Sequence, residues 1–280
     1  MARPRPSRNL VFFTDLDGTL LDHQTYAWTA ARTALTALAR KRLPLVIVTS
    51  KTRAEVMPLL RELRRREPFV VDNGGAIYLP LRYFPFPIDG AEPAGRGWQR
   101  VPLGTPYPRL VAALATAARR ARVPVRGFSQ MTAREVAERA GLAPVAARRA
   151  HQREFDEPFV ILQGGAQAWP RLRREIRKLG LGATRGSRFH HILGANDKGA
   201  AVRQLSTWFR LAHGPQVRTL GLGDSPNDVP LLRAVDSPIL VARPGGRYDR
   251  ETLSSVPHAQ RAGAVGPAGW NRAVLRVLGV

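Results

Sequence analysis

Val11-Phe-Phe-Thr-Asp15-Leu-Asp17-Gly18-Thr19-Leu-Leu21 is the stretch whose reading decides the fold. Its apolar run is too short for a helix and has the aromatic and branched content of a buried strand. It ends in two aspartates one residue apart. In a parallel α/β sheet, ligands bind beyond the carboxyl ends of the strands, which is where Asp15 and Asp17 stand. Asp-Gly alone is a common turn pair. A buried strand, however, has no structural need for two carboxylates at its tip, and charges so close repel unless a cation sits between them.

The same grammar recurs along the chain. Thr25 to Arg42 reads as a helix, and Leu45 to Ser50 as a second buried strand closing in the hydroxyls of Thr49 and Ser50. Thr52 and Glu55 form a capping-box pattern that opens the next helix. Hydroxyls and free backbone N–H groups at a helix start make a phosphate site, although Thr52 already explains the cap. Phe69 to Tyr78 reads as strand, Asn73-Gly74 turn, strand. Proline and glycine then crowd residues 79–108, and this marks an exit into a second domain. Residues 109–187 mix short helices and strands, as a small α+β unit does. Within it, Arg153-Glu-Phe-Asp-Glu-Pro-Phe159 and Arg188-Phe-His-His191 stand out. A solvated helix end accounts for the acids of the first segment, whereas Arg153 and Arg188 are each suited to a bidentate grip on a carboxylate. The two histidines face opposite sides of a strand and make a poor chelate.

After residue 194 the chain returns to the first pattern. Asn196 or Asp197 can cap a helix whose first turn holds Lys198, a place where a cation is electrostatically disfavoured. It is one of four lysines beside forty arginines. A strand from Val217 then runs into Gly223-Asp-Ser-Pro-Asn-Asp228. Asp224 stands at that strand's tip as Asp15 does at the first. Ser225 and Asp228 also read as a capping pair.

These four segments, in this order, resemble the motifs of the haloacid dehalogenase-like phosphatases. The fold implied is α/β, a Rossmann-like parallel-sheet core over 1–84 and 194–280 with an inserted C2-type α+β cap over 85–193 that carries substrate specificity. The resemblance implies Asp15 as the phosphoryl-accepting nucleophile and Asp17 as general acid and base. It implies Thr49, Ser50 and Lys198 on the phosphate, and Mg²⁺ held through Asp15, Asp17, Asp224 and Asp228. Thr-Ser-Lys51-Thr, Arg-Glu-Phe-Asp-Glu-Pro-Phe, Arg-Phe-His-His and Gly-Pro-Ala-Gly-Trp270-Asn narrow the resemblance to the mannosyl-3-phosphoglycerate phosphatases. That group implies hydrolysis of a small phosphorylated sugar-glycerate to mannosylglycerate, a compatible solute, with the glucosyl analogue or a phosphomutase as alternatives. Asp72 departs from the Glu expected before Asn73.

Composition limits the other readings. The 280 residues contain no cysteine, which excludes disulfides and thiolate chemistry and is compatible with the cytoplasm. No apolar run approaches the ~18 residues of a membrane span, and the basic start of the chain leads into Asp15 without a signal-peptide pattern. The formal net charge of +23 invites a nucleic-acid reading. The charge is nevertheless spread along the chain with no basic-aromatic stripe, so it reads as a compositional arginine bias with some attraction for anionic substrates.

Overall fold

The computed structural model describes residues 9–186 and 188–280. The basic stretch 1–8 lies outside them. In chain order the elements are β1 (Leu10–Thr14), α1 (Arg32–Arg40), β2 (Leu45–Val48), α2 (Arg53–Glu62), β3 (Phe69–Val71), β4 (Ala76–Pro80), β5 (Glu92–Pro93) and β6 (Trp98–Pro102). Then come α3 (Tyr107–Ala121), β7 (Val125–Gly127), α4 (Ala133–Ala140), α5 (Pro144–Ala150), β8 (Asp156–Ile161), α6 (Ala168–Lys178), β9 (Gly182–Arg185) and β10 (His190–Leu193). The chain closes with α7 (Lys198–His213), β11 (Arg218–Gly223), α8 (Val229–Arg233), β12 (Ser237–Ala242), α9 (Arg250–Ser255), β13 (Gln260–Val265) and α10 (Gly266–Leu278).

Two sheets result. The larger runs β13-β12-β11-β1-β2-β3-β4-β6-β5; its first six strands are parallel and the last three antiparallel. The smaller, β7-β8-β10-β9, is antiparallel throughout. Side chains alternate across a strand. Phe12 therefore packs with Leu38 and Trp270 on one face of the large sheet, while Val11 and Phe13 pack with Val202, Phe209 and Leu231 on the other. The indole N–H of buried Trp270 donates to Thr14 Oγ1 at 3.0 Å, one residue before Asp15. Asn271 accepts the Ala34 N–H and so caps α1 from another helix.

Three sequence expectations need correction. The boundary at 84/85 falls inside the large sheet: β5 and β6 extend it beyond β4, so the chain leaves after Pro102. The first helix starts later than Thr25, because the Asp22 carboxylate collects the N–H groups of Gln24 and Thr25 into a turn. Two of the acids near Phe155 are not solvated: Asp156 and Glu157 are fully buried and begin β8.

Those acids belong to the joint between the two sheets. Asp72 Oδ2 accepts the N–H groups of Glu154 and Phe155 at 3.0 Å each, and Asn73 Nδ2 donates to Asp156. The Arg153 guanidinium donates through Nε to Ala150 O and through Nη1 to Ser50 O, and lies 3.3 Å from Asp72 and 3.7 Å from Asp156. Burial pushes the Asp72 carboxyl up to about 7 even with Arg153 beside it. Arg153 thus serves the joint, and a bidentate grip on a substrate carboxylate would compete with that duty. Either fork of its guanidinium would need an N–H already donated within the joint. Arg153→Ala should lower stability by about 3–5 kcal/mol, the cost of leaving buried carboxylates unpaired. Urea unfolding checks this; an unchanged midpoint with a raised KM would return Arg153 to the substrate.

Candidate active site

The site forms where β1 and β11 end side by side. Asp15 N donates to Leu222 O, which continues the ladder one residue past β1 and fixes the first carboxylate at the tip. Gly18 turns the chain away with φ +82°, and a Cβ there would lie 2.9 Å from Asp224 Oδ2. Glycine is required twice over, for conformation and for the approach of the second carboxylate.

Lys198, the first residue of α7, reaches into this corner. Its Nζ lies 2.7 Å from Asp15 Oδ1 and 2.6 Å from Asp228 Oδ1, and the residue is 1 % exposed. Burial works against the ammonium, yet the two carboxylates hold its pKa above the ordinary lysine value. Asp197 caps α7 by accepting the Ala200 N–H. Asp228 has a second duty, because its Oδ2 accepts the N–H groups of Asp224 and Ser225. It is both the capping residue read from the sequence and a strut for Lys198.

Carboxylate oxygens of Asp15, Asp224 and Asp228 lie within 4.8 Å of one another. Burial, then Asp228, push the Asp15 carboxyl up to about 7 from an ordinary 3.8, against the pull of Lys198. Burial, then Asp228 and Asp15, raise Asp224 well above its usual range. Three carboxylates around one buried ammonium, with Arg243 Nε 3.7 Å from Asp224 Oδ2 at the edge, are an oxygen donor set suited to a hard divalent cation. The Asp17 side chain is not in this cluster. It turns to Lys51, whose Nζ lies 3.0 Å from Asp17 Oδ2.

A cavity of about 90 Å³ opens above the cluster, between the sheets. The large sheet contributes Asp15, Asp17, Ser50, Lys51 and Asp224; the smaller unit adds Arg153, Arg188, Phe189 and His191. Thr49 follows β2 and is fully buried, accepting the Lys51 N–H through Oγ1. Arg188 donates to the carbonyls of Ala140 and His23, bridging α4 to the loop after β1. The histidines divide as strand geometry requires. His190 stacks on Trp169 with centroids 4.3 Å apart, and His191 Nδ1 sits 2.8 Å from Asp156 Oδ2 with its ring on the cavity. Lys51 and His191 were not assigned from the sequence. For Lys51 the available signal was the scarcity of lysine that singled out Lys198.

Residues 12–82 match the family model described as haloacid dehalogenase-like hydrolase. The chain is 40% identical over 270 residues to a glucosyl-3-phosphoglycerate/mannosyl-3-phosphoglycerate phosphatase of Methanococcoides burtonii, covering 96% of this chain and 97% of that one. A protein of the same name in Persephonella marina is 36% identical with the same coverage. The fold is similar to that of the sucrose-phosphatase from Synechocystis, with TM-score 0.60, 16% identity and 97% of each chain covered. Full-length similarity to two curated phosphatases, and the family match over the strand that ends in Asp15, place the chain among the haloacid dehalogenase-like hydrolases, as a phosphoric monoester hydrolase.

Proposed function

We propose that this chain hydrolyses the phosphate monoester of mannosyl- or glucosyl-3-phosphoglycerate, releasing the glycosylglycerate. The observation that carries the reading is Asp15. It sits at a strand tip with Oδ1 held by Lys198 and its other oxygen unbound by any group described. It belongs to a chain similar end to end to phosphatases of that name.

The residues divide the work as follows. Asp15 attacks phosphorus in line and forms an aspartyl phosphate. The bond to the glycerate oxygen breaks, and that oxygen takes the proton of Asp17. Asp17 then removes a proton from water as the water attacks phosphorus, which frees phosphate and restores Asp15. Lys198 and N–H groups near Thr49 and Ser50 meet the equatorial oxygens, where transition-state charge spreads. Asp15 and Asp224, with the Asp17 carbonyl, would hold Mg²⁺, and Asp228 lies beside them. The ion supplies positive charge that offsets repulsion between the phosphate and these carboxylates. The smaller unit, residues 103–193, acts as the cap. Arg188 and Arg153 both line the cavity and are its candidates for the glycerate carboxylate, a planar anion suited to a guanidinium; each already donates to carbonyls that the carboxylate would have to share.

The direct test is phosphate release from mannosyl- and glucosyl-3-phosphoglycerate by the purified protein. Release is expected from at least one, and Asp15→Asn should abolish it while the circular dichroism spectrum stays unchanged. Release by a folded Asp15→Asn protein would remove Asp15 as nucleophile.

Without metal, Asp15 carries a stability cost with a definite sign. Its folded pKa of about 7 exceeds the ordinary 3.8. The folded state thus keeps a proton the unfolded chain has lost, and its stability falls as pH rises across that window. Metal-free Asp15→Asn should gain on metal-free wild type in melting temperature from pH 4 to pH 8. Mg²⁺ should raise the wild-type melting temperature and reduce the gap. Parallel melting curves across that range, with no response to Mg²⁺, would contradict the assigned acidic cluster.

A further inference from the structure

We propose that Lys51 is the positioning residue of Asp17: it holds Oδ2 of that carboxylate so that Oδ1 alone exchanges the proton with the leaving group and with water. The proposal rests on the phosphatase reading above and assigns a role to a residue that reading does not use.

The two oxygens of Asp17 have different surroundings. Oδ2 lies 3.0 Å from Lys51 Nζ, whereas Oδ1 is buried with no hydrogen-bond partner. A buried polar atom left unpaired costs free energy. One at the rim of a cavity shared with Asp15 is poised for a partner that arrives with the substrate. Among the described residues, Lys51 is the cation on Asp17.

Lys51 is itself firmly placed. Its N–H donates to Thr49 Oγ1 and its carbonyl accepts the Asp72 N–H, so the backbone is tied to β2 and to the joint. Its ammonium lies 3.5 Å from Glu55 Oε1 and 4.8 Å from the centre of the Tyr26 ring. Glu55 is fixed in turn, since its Oε2 accepts the Thr52 N–H in the capping box of α2. The Tyr26 hydroxyl donates to Ala140 O, the carbonyl at the end of α4 that also receives Arg188. Lys51 thus connects the proton-carrying carboxylate to a contact made only when the smaller unit lies over the site.

A purely structural role for Lys51 has little support. It precedes the N-cap of α2, where a cation is disfavoured, and Glu55 already serves the cap without it. The Asp17 contact is the shorter of its two ion pairs. As a proton moves from Oδ1 to the glycerate oxygen, charge develops on Asp17 beside an ammonium already in place, with no reorganisation at that moment.

Lys51→Met and Lys51→Arg test this with two leaving groups. An alkyl phosphate (glycosylated 3-phosphoglycerate or 3-phosphoglycerate itself) needs a proton on its leaving oxygen, but p-nitrophenyl phosphate does not. The ratio kcat/KM reports steps up to formation of the aspartyl phosphate. Lys51→Met should lower kcat/KM for the alkyl ester by ~10²-fold, the scale of general acid catalysis, and leave that for p-nitrophenyl phosphate nearly unchanged. Its kcat for p-nitrophenyl phosphate should fall, with a burst of p-nitrophenol equal to the enzyme, because the second half-reaction also uses Asp17. Lys51→Arg, which keeps the charge, should lie between Lys51→Met and wild type on all three readouts. Equal losses of kcat/KM for both esters, or no loss for either, would overturn the role of Lys51 alone. A wild-type protein that hydrolyses neither ester would overturn the phosphatase reading and this proposal with it.

Discussion

An ammonium buried between two buried carboxylates is the interaction on which the rest of the structure depends. Lys198 reaches Asp15 from the first turn of α7, and Asp228 completes the pair from the turn after β11. Isolated charges at this depth carry a large desolvation cost. They coexist only because three chain segments, far apart in sequence, arrive together. Parallel pairing of β1 with β11 brings two of them side by side, and Trp270 and Thr14 support the strand from beneath. Asp224, with Arg243 Nε 3.7 Å away, adds a third carboxylate to the pair, and the excess of negative charge equips the corner to take an ion and a phosphate.

A second buried network performs a different task. Asp72, Asn73, Arg153 and Asp156 tie the large sheet to the smaller unit. Gly74 lies at the same place with φ +94°, and a Cβ there would meet the Asp197 carbonyl at 2.2 Å. Both crossings between the units therefore pass one rigid corner. Some of the forty arginines are used in a related way. Arg65, Arg210, Arg233, Arg272 and Arg276 donate to main-chain carbonyls. A guanidinium has several donors in a fixed fork, and a lysine cannot replace it there. The exceptions, Lys51 and Lys198, stand where a compact ammonium must meet carboxylates.

Much of this was legible in the sequence. Strands β1 and β2 declared themselves because a strand buried on both faces reads as an apolar run, and β11 through its Leu-Gly-Leu-Gly exit into Asp224. The acids at their tips could be read because nothing in a strand's own physics asks for them. The antiparallel edge, β5 and β6, was not legible. Its strands are short and carry Pro93, Gln99 and Arg100, a composition an edge tolerates and a pattern search takes for a loop. The cap acids were misread for a related reason. Sequence shows that Glu154, Asp156 and Glu157 are charged, but only tertiary contact supplies their donors, Tyr78 for Glu154, Asn73 for Asp156, and Tyr107 and Ser129 for Glu157. The place of Arg153 in the joint was hidden in the same way, because its partners Asp72 and Ser50 follow β3 and β2. The partner of Lys51 was not legible, because Asp17 lies on another strand's exit.

The central claim is that Asp15 carries the phosphoryl group during turnover. Rapid quenching of the enzyme with glycosylated 3-phosphoglycerate, followed by mass spectrometry of its peptides, tests it most directly. The account predicts a transient phosphoryl adduct on the peptide bearing Asp15 that rises and decays at rates matching turnover. Steady phosphate release with no adduct, or an adduct on a peptide lacking Asp15, would contradict it.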